Sequence, residues 1–380
     1  MSGELDRVLA YHQATKHHLG RFARGPGRLD WATQPHPFRR YRGARLLPLE
    51  QVPPGDVPRY EDAFLAGRID PQLLERRSIS QLFFDSLALS AWKRAGDTTW
   101  SLRVNPSSGN LHPTEGYLLC GPVDGLAATP IVAHYAPREH ALEVRAEVPR
   151  ATWQALINGF PEGTLLVGLS SIHWREAWKY GERAFRYCQH DVGHALAALS
   201  LAAAGLGWQA TLLDDLGSEQ IAHLLGLSET EGAAKAPGIE SEHADCLLAI
   251  HPQGQACPSL GLPGAPVEAF AGLSWQGAPN RLSPGHVHWS LIDEVAAATR
   301  KPPTAGAYTR ASGRPRGTVT APEPPRRTVE STSLSLRRIS RQRRSAVAMD
   351  GRGSIPAGTF YHLLGRALNG TRSWPASVLP

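Results

Sequence analysis

The chain has 380 residues, of which 42% are hydrophobic and 19% are charged. That balance supports a sizeable core and excludes a chain that is disordered throughout. The N-terminus lacks the apolar segment of a signal peptide, and no later apolar run is long enough to cross a bilayer. We therefore expect a cytoplasmic protein without a membrane partner. Four scattered cysteines exclude a disulfide scaffold and a CxxC metal site.

Positive charge is concentrated in one proline-rich stretch. Residues 300–344 hold 12 Lys and Arg against two acids, whereas the whole chain carries only +6. The rest of the chain is therefore mildly acidic. We interpret the basic stretch as a solvated linker rather than as a surface for RNA, and we expect no nucleic-acid partner.

The first part of the chain predicts an irregular extension followed by a mixed fold. Basic, aromatic and proline-rich stretches alternate over residues 1–70, with one opening helix. Apolar residues from Leu73 to Trp92 predict helices joined by a short turn. Apolar runs predict buried strands, which fall at 115–121, within 133–148, at 164–171, after 207 and at 244–252. Strands that alternate with helices indicate an α+β layered fold.

The clearest predicted helix runs from about Trp174 to Ala204. It has one apolar stripe, and Gly205 with Gly207 supplies the stop signal. Cationic residues on the other side recur at three- and four-residue steps and predict a single positive stripe: Lys179, Arg183, Arg186, His190 and His194.

Three motifs combine residue types that suit ligand binding. The first, Arg76-Arg77-Ser78, places two guanidinium groups and a hydroxyl at a predicted helix start, which suits a terminal phosphate. A solvated helix start is the alternative. The second is a loop of small residues and Asn through which backbone amides can approach a flat polar ligand, and it comprises Pro106, Ser107, Ser108, Gly109 and Asn110. An ordinary turn would have the same composition.

The third motif runs from Trp178 to Tyr187 and is followed by His190 and His194. The i, i+4 spacing of these histidines is that of the zinc motif HExxH, but Asp191 stands where the general-base Glu belongs. No third ligand follows in a fixed motif. We therefore expect structural histidines and no metal.

In this order and spacing, the three motifs resemble the SagB/McbC-type branch of the FMN-dependent nitroreductase superfamily, which includes azoline dehydrogenases. The resemblance implies an α+β, nitroreductase-like mixed sheet flanked by helices, with an irregular N-terminal extension and a partial C-terminal repeat. It divides the chain into an extension (1–70), a nitroreductase-like FMN domain (71–252), a Pro/Gly/Arg-rich linker or insertion with little core (253–336) and the start of a second, incomplete repeat (337–380). The repeat rests on a second Arg-Arg-Ser at 343–345, which precedes another apolar helix.

The resemblance also implies roles for individual residues. Arg76, Arg77 and Ser78 match the phosphate side of the FMN site. The loop that contacts the isoalloxazine ring is matched by Pro106, Ser107, Ser108, Gly109 and Asn110. A turn whose backbone approaches the flavin is matched by Gly205, Leu206 and Gly207. Lys179 and Tyr180 match the pair that removes a proton from an azoline. Lys179 is suited to that role if burial and the neighbouring Arg183 and Arg186 favour its neutral amine. A solvated helix face is the alternative for these cations.

The resemblance therefore implies an FMN-dependent dehydrogenase that acts on a small molecule or on a heterocycle in a ribosomally made peptide. It also implies a homodimer or pseudo-dimer and a cyclodehydratase-type partner. Two alternatives stay open. One is an NAD(P)H-dependent reductase of nitro or quinone compounds, and the other is a non-catalytic relative that binds flavin or peptide in a biosynthetic complex.

Overall fold

The fold is centred on an eight-stranded sheet that is covered on both faces. The computed structural model describes residues 2–228, 239–255, 261–304, 334–346, 348–367 and 376–377. In spatial order the strands are β12 (Ala376–Ser377), β9 (Trp208–Leu212), β10 (His243–Pro252), β8 (Leu165–Ser171), β5 (Thr114–Cys120), β6 (Ile131–Ala136), β7 (Ala141–Glu147) and β2 (Arg45–Pro48). Neighbouring strands are antiparallel except for β12 and β9.

Helices flank the sheet, and two small two-stranded sheets stand apart from it. The helices are α1 (Ser2–Thr15), α2 (Arg76–Phe84), α3 (Arg150–Leu156), α4 (His173–Tyr180), α5 (Ala184–Ala204), α6 (Ser218–Leu225), α7 (Gly264–Ala269), α8 (Ser290–Ala298), α9 (Leu336–Gln342) and α10 (Ala357–Ala367). The small sheets pair β1 (Tyr41–Arg42) with β11 (Ala278–Pro279), and β3 (Leu89–Ala95) with β4 (Thr98–Arg103). Among the described residues, no helix has the length and apolar character to cross a membrane.

Alternating side chains of the central strands pack into two separate hydrophobic cores, one on each face of the sheet. On β5, Leu118 and Cys120 join the core that contains α2 and α5, whereas Tyr117 and Leu119 join the core that contains α6 and α7. The strand is therefore buried along its whole length, as strands covered on both faces are. The predicted α+β architecture of a mixed sheet flanked by helices is confirmed.

Two predicted helical regions differ from the structure. The region from Leu73 to Trp92 contains one helix, α2, and then enters the β3–β4 hairpin. Its turn uses Gly96 at φ +56°, where glycine is favoured, and β-branched threonines follow directly in β4. The apolar residues Leu89 and Trp92 thus belong to a strand rather than to a second helix.

The long helix predicted from Trp174 to Ala204 is broken at Gly181. This residue has φ +52°, and a Cβ there would stand 2.7 Å from the Arg24 carbonyl oxygen. The N-terminal segment crosses at this point, so the chain ends α4 and begins α5 after one short 3₁₀ turn. The prediction of a single cationic stripe was therefore wrong. Arg183 and Arg186 instead hold α1, by donating to backbone oxygens at its C-terminal end.

The described part of 253–336 is not a bare linker. The segment with α7 buries Val267 and Phe270 in the core beside α6, and α8 buries Ile292 beside α4. Apolar side chains at these positions carry the packing, although glycine and proline surround them in the sequence. Much of the basic stretch, from 305 to 333, lies outside the described residues, and so does Cys257.

The C-terminal segment 334–346 packs against the main domain. Leu336 of α9 is buried against the end of α5, and Arg341 donates to the buried Asp85 carboxylate at 2.6 Å. The second Arg-Arg-Ser, at 343–345, follows α9, whereas the first one begins α2. The two triplets thus differ in local structure, since α10 begins only at Ala357.

A test of the packing of the α7 segment follows from Gly226. This residue ends α6 at φ +67°, and a Cβ there would overlap the Trp275 ring. Gly226→Ala therefore combines a left-handed backbone penalty with overpacking, and we expect it to lower the free energy of unfolding by about 2–4 kcal/mol in urea titrations.

Gly67→Ala is the matched control. Gly67 has nearly the same backbone angle, φ +70°, but nothing stands within 4 Å of its added Cβ. We expect a loss of only about 1–2 kcal/mol, from the backbone alone. Equal losses in the two variants would show that Trp275 does not pack against α6.

Candidate functional site

The loop 106–110 lies against the C-terminal end of α4. A Cβ on Gly109 would stand 2.6 Å from the Tyr180 hydroxyl and 3.1 Å from Lys179 Nζ. Gly109 also has φ +61°, so both its backbone and its surroundings require glycine. The structure therefore brings together two of the predicted groups of site residues. Gly109 is exposed and the Lys179–Tyr180 pair is half-buried, so a solute can reach this place.

Asp191 of α5 holds the loop 106–110 by hydrogen bonds. Its carboxylate accepts hydrogen bonds from the Ser108 amide at 3.0 and 3.2 Å and from the Ser108 hydroxyl at 3.1 Å. Asp191 is only 1% exposed, so these charge-assisted bonds are shielded from water. The loop is held at a set distance from the helix that follows the Lys179–Tyr180 pair.

The remaining loop residues are held by local hydrogen bonds. Asn110, at φ +62°, donates to the Ser101 carbonyl and contacts His112 through its side-chain oxygen, each at 2.9 Å. Ser107 accepts a hydrogen bond from the His112 amide at 2.7 Å. Pro106 precedes this network and is half-buried. The loop is thus a preformed turn whose backbone faces the end of α4.

Burial sets the protonation of the tyrosine. It raises the pKa of Tyr180 to about 12, and the nearby Asp191 charge acts in the same direction. The hydroxyl therefore stays protonated at neutral pH and is available as a hydrogen-bond donor. Lys179 Nζ lies 5.4 Å from the centre of the Tyr180 ring, so an amine and a phenol stand side by side.

Two arginines of the second Arg-Arg-Ser border the same loop. Arg343 donates to the Val104 carbonyl at 3.0 Å, and Arg344 to the Ser90 carbonyl at 3.4 Å. Neither forms an ion pair with a carboxylate in the part of the chain that the structure describes. Buried polar atoms without a described hydrogen-bond partner also occur here, on Asn105 and His112. Positively charged side chains and buried polar atoms without a described hydrogen-bond partner thus lie beside the loop 106–110.

The first Arg-Arg-Ser lies in a different place. The Ser78 hydroxyl accepts from the Glu75 amide at 3.0 Å and donates to the Leu73 carbonyl at 2.7 Å, so it helps to begin α2. Arg76 donates to the Pro48 carbonyl, and Arg77 pairs with Glu50 at the surface.

The turn Gly205–Gly207 lies near this first triplet. The Leu206 carbonyl accepts from the Gln72 amide at 2.9 Å. A Cβ on Gly207, which has φ +68°, would stand 2.5 Å from the Asp70 carbonyl oxygen, and one on Gly205 would stand 2.9 Å from Leu336. The absence of a side chain at Gly207 and Gly205 thus leaves room for the Asp70 backbone and the Leu336 side chain of the same chain. From Asp191 to Ala204, helix α5 rises roughly 20 Å, which separates this turn from the loop 106–110 within one chain.

Sequence reasoning missed three residues of this region. Asp191 appeared only as part of the zinc-like spacing, and Glu176 and Arg343 were not singled out as site residues. The described residues contain no group of three or more His, Cys, Asp or Glu that could hold a metal ion. Asp191 binds Ser108 instead, and His194 lies 3.7 Å from it at the surface.

Comparison with known proteins supports the fold. Residues 73–236 match the sequence model of the Nitroreductase family, and this range contains every predicted site residue. A putative nitroreductase from Anabaena variabilis has a similar structure, with a TM-score of 0.53 and 22% identity. The similarity covers 79% of this chain and 55% of the Anabaena chain. The nitroreductase-like fold predicted from the motifs is confirmed.

Two further structures are more distant. A putative nitroreductase from Ralstonia eutropha gives a TM-score of 0.39 at 16% identity, covering 60% of this chain and 97% of its own. The E. coli microcin synthetase McbBCD complex with truncated pro-MccB17 bound gives a TM-score of 0.36 at 18% identity. The similarity covers 54% of this chain and 70% of that chain. No curated protein matches the chain.

The role of Asp191 in fixing the loop can be measured directly. Asp191→Ala removes all three hydrogen bonds to Ser108, so we expect a loss of about 1.5–3 kcal/mol in stability and faster amide hydrogen exchange over 106–112. Ser108→Ala removes only the hydroxyl bond and should give a smaller effect on both. Unchanged exchange in Asp191→Ala would show that the loop keeps its shape without the carboxylate.

Proposed function

We propose that this chain carries an FMN-dependent oxidoreductase site that oxidises an azoline heterocycle in a ribosomally made peptide, with Lys179 as the proton acceptor. The observation that supports it is the close approach of Lys179 and Tyr180 to Gly109. An amine, a phenol and a preformed turn of small residues meet at one accessible place, inside the range that matches the Nitroreductase family.

The residues present fit FMN. The turn 106–110 offers its backbone to a flat ring, and the absence of a side chain on Gly109 lets Lys179 and Tyr180 approach that backbone closely. Arg343 and Arg344 place guanidinium groups without a described carboxylate partner beside this turn, and their charge favours an anionic ligand. FMN, when bound, supplies the acceptor for a hydride equivalent.

Proton removal falls to this chain's own side chains. Lys179 Nζ stands at the edge of the loop, so a substrate ring placed over Gly109 would present its carbon-bound hydrogen to the amine. Tyr180 keeps its proton, so its hydroxyl can donate to a ring heteroatom and hold the substrate in place. The half-buried position of the pair limits competition from water.

Pairing of two copies would complete the site. Two of the predicted groups lie together at the end of α5 that is far from Lys179: the triplet Arg76 to Ser78 and the turn Gly205–Gly207. We propose that these groups reach the flavin of a second copy or of a second repeat, as the resemblance implies. The Anabaena chain is longer than this one, because the match spans only 55% of its length.

The cofactor is the first test. We expect the purified protein to bind FMN rather than FAD, because no GxGxxG turn after a strand offers a pyrophosphate site. Extraction and chromatography of the released flavin identify it, and light scattering of the flavin-bound protein should give a dimer. Bound FAD, or a monomer that holds FMN tightly, would contradict the proposal.

The second test separates chemistry from binding. Lys179→Ala should keep the fold and FMN content, since the side chain is half-buried and its Nζ makes no described hydrogen bond, yet lower the rate of azoline oxidation by about 10²–10⁴. Tyr180→Phe removes only the hydroxyl and should raise KM more than it lowers kcat.

The matched control is Lys93→Ala, which removes an exposed lysine of β3 and should keep the wild-type rate of oxidation. Full oxidation by Lys179→Ala would place proton removal elsewhere. Wild-type protein that reduces nitro or quinone compounds with NAD(P)H but leaves azolines unchanged would favour the reductase instead.

A further inference from the structure

A cavity beside α4 is lined by three tryptophans. It has a volume of about 270 Å³ and lies between α4, the N-terminal segment around Arg24 and the chain just before α8. Trp174 and Trp178 line it from α4, and Trp289 lines it from the residue that precedes α8. Pockets for small-molecule ligands have volumes of about 300–1,000 Å³. This cavity therefore has room for one side chain rather than for a whole cofactor.

The tryptophan walls of the cavity are held in place by the surrounding chain. Trp178 Nε1 donates to the Asp30 carbonyl at 2.9 Å. The Trp174 ring meets the His286 ring edge to face, with 5.1 Å between the ring centres. Because the indole rings are already ordered, an aromatic side chain can pack against them in a stacked or edge-to-face arrangement. The cavity is thus suited to an aromatic ring.

Hydrogen-bond donors around the cavity lack partners. The indole N–H groups of Trp174 and Trp289 are buried, and neither has a hydrogen-bond partner among the described residues. Arg28 lines the cavity and is exposed, and no described carboxylate pairs with it. The Asp30 carboxylate accepts from the Ala32 amide at 3.1 Å. The described side chains of the cavity thus offer more free donors than free acceptors, and the Arg28 guanidinium favours a carboxylate on the ligand.

The cavity and the Lys179–Tyr180 pair share helix α4. Trp178 directly precedes Lys179 and Trp174 lies five residues before it, which corresponds to about 2–8 Å along the helix axis. Trp289 also packs at the break that follows the pair, since a Cβ on Gly181 would stand 2.9 Å from its ring. An extended peptide advances about 3.3–3.6 Å per residue, so three to five residues span about 10–18 Å. That length is enough to pass around a helix about 10–12 Å wide.

We propose that this cavity is a subsite for the peptide substrate. It takes an aromatic side chain about three to five residues from the reacting heterocycle, and Arg28 binds an acidic residue next to that side chain. The ring enters between the tryptophans, and the carboxylate stays at the exposed rim. The inference rests on the proposed function, because it takes a peptide to be the substrate.

The first test needs neither flavin nor an azoline. The probe is the blocked tripeptide Glu-Phe-Glu with 4-fluorophenylalanine at its centre, titrated with the whole chain and followed by fluorine NMR. We expect a saturable change in the fluorine signal. The corresponding Gln-Phe-Gln peptide should bind about two- to fivefold more weakly, as expected for the loss of an exposed ion pair. Unlabelled Glu-Ala-Glu should not displace the probe.

Two variants locate the binding of the probe. Trp289→Ala removes one aromatic wall and should weaken binding about tenfold, whereas Trp92→Ala, the matched control on exposed β3, should leave it unchanged. Arg28→Gln keeps the test open if Trp289→Ala does not fold, because the Arg28 side chain is exposed. In that variant the Glu and Gln peptides should bind equally. A preserved preference in Arg28→Gln, or the same affinity in Trp289→Ala and wild type, overturns the proposal.

Kinetics connect the cavity to the reacting site. An azoline peptide that carries Glu-Phe-Glu about four residues from the ring should have a lower KM than its Glu-Ala-Glu counterpart, with kcat nearly unchanged. This difference should be lost in Trp289→Ala. Azoline oxidation without binding of the probe overturns this inference and leaves the proposed function intact. Binding of the probe without azoline oxidation contradicts the proposed function, while it supports the cavity as a peptide site.

Discussion

The arrangement of the candidate site depends on the break at Gly181. The N-terminal segment passes so close at Arg24 and Gly25 that no side chain fits at position 181, and the backbone there is left-handed. Helix α4 must therefore end at Tyr180. An uninterrupted helix with a side chain at this position would collide with the backbone of Arg24 and Gly25. The crossing segment thus turns a long helix into two, with the half-buried Lys179–Tyr180 pair at the joint.

Charge burial follows two different patterns in this fold. On the sheet, Arg175 and His134 hold Glu115, and the Arg175 guanidinium with these neighbours keeps the pKa of that carboxyl low in spite of burial. Such compensated groups lock strands and loops together. Around Tyr180 the compensation is missing, and polar atoms are left without described partners. Uncompensated buried polar groups are costly to the fold, and groups with perturbed pKa values cluster at functional sites.

Local sequence was sufficient for the central strands of the large sheet but not for the joints between elements. β5 and β8 were predictable because uninterrupted apolar runs of this length fit a strand covered on both faces. The break at Gly181 could not be predicted, since it depends on a contact with residues more than 150 positions away in sequence. The hairpin after α2 was missed because its apolar residues also fit a helical pattern.

The same limit applies to the site. The motifs pointed to Lys179, Tyr180 and the loop 106–110, and the structure places these together. The motifs did not reveal that Arg76 to Ser78 lie at the other end of α5, because spacing along the chain carries no information about which end of a helix another segment will reach. The role of Asp191 was hidden for the same reason, since its partner Ser108 belongs to another motif.

Helix α5 connects these two ends. Asp191 in its first half holds Ser108, while its last residue, Ala204, packs with Leu336, and Gly207 just beyond it faces the Asp70–Pro71 backbone. The Ser108 loop and Leu336 are thus held at two points of one helix that stand roughly 20 Å apart, and α5 fixes the distance between them.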